Sequence, residues 1–136
     1  MKPISTKTHG FLDYATSLVL VISPALFGFG RGHSETWVPV ALGVGALIYS
    51  LATDYELGAV RILSMKNHLR LDFVNGLLLG LSPWLFGFAG AVFVPHVVMG
   101  AFEVLAALLT REHANPPRAA KGHNLIQTKG YPPFLR

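Results

Sequence analysis

The chain has 136 residues, the length of one ordinary domain, and 13% of them are charged, against roughly 25% in typical globular proteins. Apolar residues make up 51% and the mean hydropathy is +0.47, which excludes a disordered chain because so much apolar surface cannot stay solvated. The net charge of +4 is not arranged as a groove-binding stripe, so we expect no nucleic-acid partner. Cysteine is absent, which excludes disulfides and thiolate metal sites. The composition indicates a lipid bilayer as the environment.

Four apolar segments are long enough to span a bilayer, which needs about 20 mostly apolar residues. They cover residues 11–29, 37–53, 71–88 and 92–110. A soluble bundle would show a polar face every three or four residues, and these segments do not. The sequence therefore predicts an all-α fold, an integral membrane four-helix bundle. The mixed segment 55–67 is expected to lie along the membrane surface as a short helix.

Lysine and arginine are concentrated on one side of the predicted spans. Only Arg31 falls in the first connection, and all the others lie near the N-terminus, in the middle connection or after the fourth span. The positive-inside rule therefore predicts a multi-pass protein of the cell (inner) membrane with both termini cytoplasmic. Asp13 and Pro24 interrupt the first apolar stretch, which favours a retained span over a signal peptide.

The chain contains an internal repeat. Residues 4–14 align with residues 63–73, and the match continues without a gap through residues 23–29 and 82–88. Each copy is predicted to be a helical hairpin. Two hairpins with an even number of spans are parallel repeats, related by a pseudo-two-fold axis along the membrane normal.

The second helices of the two copies match more weakly. Gly43 and Thr53 stand opposite Gly100 and Thr110. The predicted division is repeat 1 at residues 1–58, repeat 2 at residues 59–110, and a basic cytoplasmic tail at residues 111–136 that we expect to be disordered.

A short motif recurs at the same depth in both copies. Its residues are Ser82, Pro83 and Trp84 in repeat 2, and Ser23 and Pro24 in repeat 1. The sequence resembles the SPW repeat family of small bacterial and archaeal integral membrane proteins over roughly residues 4 to 110. Repeat 1 departs from the motif, since Ala25 stands where Trp84 stands. The resemblance implies location and repeat architecture, and it implies no catalytic residues.

The Ser-Pro pairs predict a local repair of each helix. A proline frees the carbonyl four residues before it, which is Leu20 for Pro24 and Leu79 for Pro83. The preceding serine is placed to bond back into that turn. We expect a kink at equal depth in both helices, either shaping helix packing or acting as a gating hinge. Gly76 and Gly80 form a GxxxG pattern that would let helix backbones approach closely.

Two His/Asp pairs have helical i, i+4 spacing. They are His9 with Asp13 and His68 with Asp72, preceded by Thr8 and Asn67 as candidate N-caps. One interpretation is structural, because a carboxylate in the first turns of a helix interacts well with the helix dipole. The other is a divalent metal site in which the two pairs converge on the pseudo-axis.

Glu103 lies near the middle of the fourth span, where an ionisable residue suggests a function. His96 is two turns earlier on the same helix face, so the pair is a candidate site for protons or a cation. The alternative is a protonated Glu103 that is hydrogen-bonded inside the bundle.

Three functional interpretations remain at this point. The first is a non-enzymatic membrane protein with a structural or accessory role and no cofactor. The second is a proton-coupled carrier of a small solute or cation, as a homo-oligomer, with Glu103 as the coupling group. The third is metal or haem binding through the repeat-related histidines. No Ser-His-Asp order, phosphate loop or HExxH motif supports an enzyme.

Overall fold

The computed structural model describes residues 2–113, and the regular structure in that range is four helices. They are α1 (Thr6–Leu26), α2 (Ser34–Leu51), α3 (Met65–Leu85) and α4 (Val94–Leu109). α1 packs on α2 and α3 packs on α4, and contacts of α2 with α3 and of α1 with α4 close the bundle. The predicted all-α four-helix bundle is confirmed. The tail predicted from residue 111 lies outside the described residues beyond His113.

Serine caps set the starts of α1 and α3. The Ser5 hydroxyl accepts the Thr8 backbone N–H at 3.1 Å, and the Ser64 hydroxyl accepts the Asn67 N–H at 3.4 Å. The prediction that Thr8 and Asn67 are the caps is wrong, because both lie in the first turn and supply the donors. The helices therefore start earlier than the apolar spans, since a polar first turn lowers hydropathy without preventing a helix.

The connection between α2 and α3 is not the predicted surface helix. Residues 54–64 form turns and bends, and the amides of Ala59 and Val60 bond the Leu51 carbonyl at 2.8 and 2.9 Å. The segment folds back because it satisfies a carbonyl at the end of α2, which a helix end leaves without a partner.

Two short backbone bridges join the repeats at the end of the bundle where the first and last described residues meet, here called the terminal end. Ile4 pairs with Thr110, and Leu63 pairs with Thr53. The Ile4 N–H bonds the Leu109 carbonyl at 3.1 Å, and the Leu63 N–H bonds the Ala52 carbonyl at 2.9 Å. The start of each repeat is therefore bound to the end of the other.

The bundle is polar inside and apolar outside. Its buried residues include more polar than apolar side chains, whereas large apolar side chains are exposed on all four helices. A soluble bundle has the opposite arrangement, and an exposed apolar surface of this extent marks a membrane or protein contact. α1 and α2 are long and apolar enough to cross a membrane, and α4 is apolar but shorter.

Glycines bring α3 and α4 together. A methyl group at Gly76 would lie 2.7 Å from the Gly100 carbonyl oxygen, and a methyl group at Gly100 would lie 2.8 Å from the Gly80 Cα. These separations are shorter than real Cβ contacts, so the backbones touch here. The GxxxG pattern at Gly76 and Gly80 allows the close approach of helix backbones that the sequence predicted, here between α3 and α4.

Candidate metal site between the repeats

The two His/Asp pairs meet at the terminal end of the bundle. His9 and Asp13 lie one turn apart on α1, and His68 and Asp72 lie one turn apart on α3. One ligand atom from each of the four residues lies within 4.8 Å of the other three. We call these residues the His/Asp quartet. The structure thus brings together the four residues that the sequence proposed as a metal site.

The shortest contacts of the quartet cross between the repeats. His9 Nε2 lies 2.8 Å from Asp72 Oδ2, and His68 Nε2 lies 2.9 Å from Asp13 Oδ2. The contacts within each helix are longer, at 3.3 Å for His9 with Asp13 and 3.1 Å for His68 with Asp72. All four side chains are at least nine-tenths buried. The quartet is therefore one inter-helix cluster and not two separate i, i+4 pairs.

A threonine fixes the tautomer of His9. The Thr110 hydroxyl lies 2.6 Å from the Ala106 carbonyl and 2.9 Å from His9 Nδ1. A hydroxyl has one proton, and the carbonyl can only accept, so that proton goes to Ala106. The hydroxyl must then accept a proton from His9 Nδ1, and Nε2 is left facing the carboxylates.

The second repeat has the same arrangement. The Thr53 hydroxyl donates to the Tyr49 carbonyl at 2.6 Å and accepts from His68 Nδ1 at 2.8 Å. Both imidazoles therefore hold a proton on Nδ1 and direct Nε2 into the quartet. Metal-ligating histidines typically donate the other ring N–H to a fixed partner in this way.

Two tyrosines, Tyr49 and Tyr55, lie next to the quartet. The Tyr49 hydroxyl donates to Asp72 Oδ1 at 2.7 Å, which leaves Oδ2 for the histidines. The Tyr55 ring lies 5.8 Å from the His68 ring, and burial raises the pKa of its phenol, so the ring stays neutral. The helix position that carries Tyr49 in repeat 1 carries Ala106 in repeat 2. The two carboxylates consequently have different surroundings.

His96 has a different contact from the predicted relay. Its Nε2 lies 3.1 Å from the Glu35 carbonyl oxygen, the acceptor that Pro39 leaves free in α2. Its Nδ1 has no partner among the described residues, and its ring lies between Phe29 and Phe88 at 5.2 and 4.9 Å. A proton on Nε2 fits both observations. His96 thus replaces the N–H that proline lacks.

This role of His96 predicts a double-mutant result. His96→Ala should lower the free energy of unfolding by about 1–3 kcal/mol, because the Glu35 carbonyl is left buried without a donor. In a Pro39→Ala background the new backbone N–H supplies that donor, so the same His96→Ala change should cost less. Chemical unfolding in detergent measures both, with exposed His33→Ala as the control. Equal costs in the two backgrounds would contradict this role.

Glu103 faces the bundle interior. Asn75 Nδ2 on α3 donates to Glu103 Oε2 at 3.0 Å, and the side chain is buried. No hydrogen bond joins Glu103 to His96 in residues 2–113. The helix positions equivalent to Asn75 and Glu103 carry Thr16 and Ala46 in repeat 1, so this contact belongs to repeat 2 alone.

The Ser-Pro pairs make the predicted bonds. Ser23 Oγ donates to the Leu20 carbonyl at 2.8 Å, and Ser82 Oγ donates to the Leu79 carbonyl at 2.6 Å. Each serine satisfies the carbonyl freed by the following Pro24 or Pro83, and the helix continues past it. Trp84 lies outside this arrangement, with 58% of its surface exposed.

The fold and the site together define a class, an all-α bundle of two hairpins whose polar interior is enclosed by apolar helix faces. The family model for the SPW repeat domain matches residues 7–110, so the chain belongs to the SPW repeat family. The family and the apolar helices indicate a membrane protein. Searches of curated proteins and of solved structures found no significant match.

Proposed function

We propose that the chain is a non-enzymatic, multi-pass protein of the inner membrane whose His/Asp quartet holds one divalent transition-metal ion between the two repeats. The observation that carries this proposal is the direction of the two histidines. Thr110 and Thr53 accept the Nδ1 protons, so both Nε2 atoms converge on the two carboxylates. The apolar outer surface supports the membrane location. The Lys/Arg distribution supports a cytoplasmic terminal end.

The quartet suits a divalent cation in charge and in ligand type. Two neutral imidazoles and two carboxylates balance a charge of +2, and mixed nitrogen and oxygen ligands suit zinc and its first-row neighbours. With metal–ligand bonds of about 2.0–2.1 Å, the edges of a tetrahedral site are roughly 3.3 Å. The His–Asp contacts run from 2.8 to 3.3 Å, and all four ligand atoms lie within 4.8 Å of one another, so the quartet would admit the ion after small shifts of its side chains.

The same geometry favours an ion over haem. A haem iron takes its two axial histidines on opposite faces of a wide planar ring. Here the carboxylate oxygens lie 2.8–2.9 Å from the two Nε2 atoms and occupy the space that the ring would need. A metal ion would use all four groups and would link α1 to α3. The proposed role is therefore structural, the fastening of one repeat to the other.

Metal binding has a direct test with cobalt as the probe. Protein purified in detergent and stripped with a chelator should bind one Co²⁺ per chain and develop the strong visible absorption of tetrahedral cobalt. His68→Ala should abolish the absorption, and the near-isosteric Asp13→Asn should weaken the affinity by at least tenfold because it replaces an anionic ligand. His33→Ala, an exposed histidine outside the quartet, is the control.

An absence of cobalt absorption in the wild-type protein would overturn the metal proposal. In that case the quartet would hold two protons on the Nε2 atoms, as two imidazolium–carboxylate pairs with the same net charge. The folded state of each variant is checked by circular dichroism, so a loss of absorption is separated from a loss of fold.

The proton-coupled carrier is the second candidate, with Glu103 as the coupling group. This candidate is supported by the position of the Glu103 carboxyl group, which is buried inside the bundle and accepts a hydrogen bond from the Asn75 amide. The metal proposal ranks above it because the quartet assembles four groups from two repeats, whereas Glu103 has one side-chain partner among the described residues.

A further inference from the structure

A groove of about 500 Å³ lies between the first turns of α3 and the end of α4. Three cations, Lys2, Lys66 and Arg70, stand at its mouth, and Glu112 is the one acidic residue that lines it. The Lys2 ammonium lies 4.0 Å from the Glu112 carboxylate, and both side chains are half-exposed. The mouth therefore carries a net positive charge that its own residues do not balance.

The walls of the groove are apolar. Leu69 lines it beside Arg70, and Phe73 and Leu108 line it further along α3 and α4 from the terminal end. A charged rim above an apolar channel at the end of a membrane helix matches a lipid, whose phosphate is anionic and whose acyl chains are apolar. Basic pockets between transmembrane helices on the cytoplasmic side bind anionic headgroups in this way.

The corresponding place in repeat 1 has a different character. The position of Arg70 is taken by Phe11, and the position of Leu69 by Gly10. Side chains of the α2–α3 connection approach there: a methyl group at Gly10 would touch the rings and chains of Tyr55 and Leu57, and the Tyr14 hydroxyl bonds the Leu57 carbonyl at 2.9 Å. In repeat 1 the α2–α3 connection therefore fills this place, whereas in repeat 2 the same place is an open basic groove.

We propose that the α3–α4 groove binds one anionic phospholipid, with the phosphodiester headgroup on Lys66 and Arg70 and an acyl chain along Phe73 and Leu108. The inference rests on the membrane location proposed above and is independent of the metal ion. The proposed ligand is a lipid because a free phosphate ion has no apolar part that could contact the apolar walls.

The test compares lipid affinities of two double variants in detergent. Phosphatidylglycerol binding is measured by native mass spectrometry, with phosphatidylcholine as the neutral lipid. Lys66→Gln with Arg70→Gln should weaken phosphatidylglycerol binding by about tenfold or more, since each cation near an anionic headgroup contributes. Lys7→Gln with Arg61→Gln removes two cations at the same end of the bundle, outside the groove, and should leave the affinity within twofold.

Equal losses of lipid affinity in the two double variants would overturn the groove as the binding site, because the attraction would then be general to the basic surface. An unchanged affinity in the groove double would also overturn it, because the lipid would then bind elsewhere on the protein. Inorganic phosphate should not compete with the lipid, and competition would assign the cations to a free anion. Recovery of the wild-type protein in the soluble fraction without detergent would overturn the membrane location itself.

Discussion

Asp72→Ala is expected to lower the free energy of unfolding by about 3–5 kcal/mol, the cost of removing one partner from a buried ionic cluster. Asp72 has the shortest contacts in the quartet, at 2.8 Å to His9 Nε2 and 2.7 Å to the Tyr49 hydroxyl. Without the carboxylate, the buried Tyr49 phenol loses its acceptor, and His9 Nε2 keeps only the longer 3.3 Å contact with Asp13. Asp13→Ala should cost less, because Asp13 has no tyrosine partner in residues 2–113.

Asp54→Ala is the matched control for this prediction. Asp54 is also an aspartate with a basic side chain beside it, but its contact with Arg61 is 3.8 Å long and both side chains are about two-thirds exposed. Exposed pairs contribute between zero and about 1 kcal/mol. Chemical unfolding in detergent measures all three variants. A loss for Asp72→Ala no larger than that for Asp54→Ala would mean that the quartet adds nothing to stability.

Gly100→Ala is expected to destabilise the protein by about 1–3 kcal/mol, and more if the helices must separate. The added methyl group would lie 2.8 Å from the Gly80 Cα, and backbone cannot move aside as a flexible side chain can. The same change at Gly45 in α2 meets no atom within 4 Å in the part of the chain that the structure describes. Gly45→Ala should be neutral or stabilising by up to about 1 kcal/mol, because alanine favours a helix.

The difference between these two alanine variants measures the close approach of α3 and α4 alone, since helix propensity is common to both. In detergent, the melting temperatures of Gly100→Ala and Gly45→Ala should shift in opposite directions from wild type, or at least differ clearly from each other. Equal shifts would show that the α3–α4 interface can absorb a methyl group, and the glycine contact would then have no energetic role.

Much of the fold could be predicted from local chemistry. The Ser-Pro bonds follow from two adjacent residues and the geometry of a helix, so Ser23 and Ser82 could be assigned to the correct carbonyls in advance. The convergence of the His/Asp pairs could be proposed because the repeat implies an axis. Helix starts were less accessible, because Ser5 and Thr8 are both good caps and hydropathy does not distinguish them.

The contacts that were missed are long-range. Thr53 and Thr110 are visible as equivalent positions in the weak match of the second helices, yet their bonds to His68 and His9 depend on how the two hairpins dock. The hydrogen bond by which His96 compensates for Pro39 has a clearer signal in the sequence. A proline inside an apolar helix frees a carbonyl, and a buried histidine at the equivalent repeat position is a donor at the same depth.

The paired bridges at the terminal end have a consequence for chain order. Ile4 is bonded to the segment at Thr110 in the same manner as Leu63 is bonded to the segment at Thr53. The chain therefore forms a closed ring of two hairpins with one covalent junction and one non-covalent junction. A circular permutant opened near residue 59, with residue 111 joined to residue 4 through a linker as long as residues 54–62, is expected to keep both bridges and every quartet contact, because parallel segments need a crossover connection. Two separate hairpin chains could therefore form the same ring. The covalent link between the repeats keeps the two hairpins close together, but it contributes none of the four quartet residues.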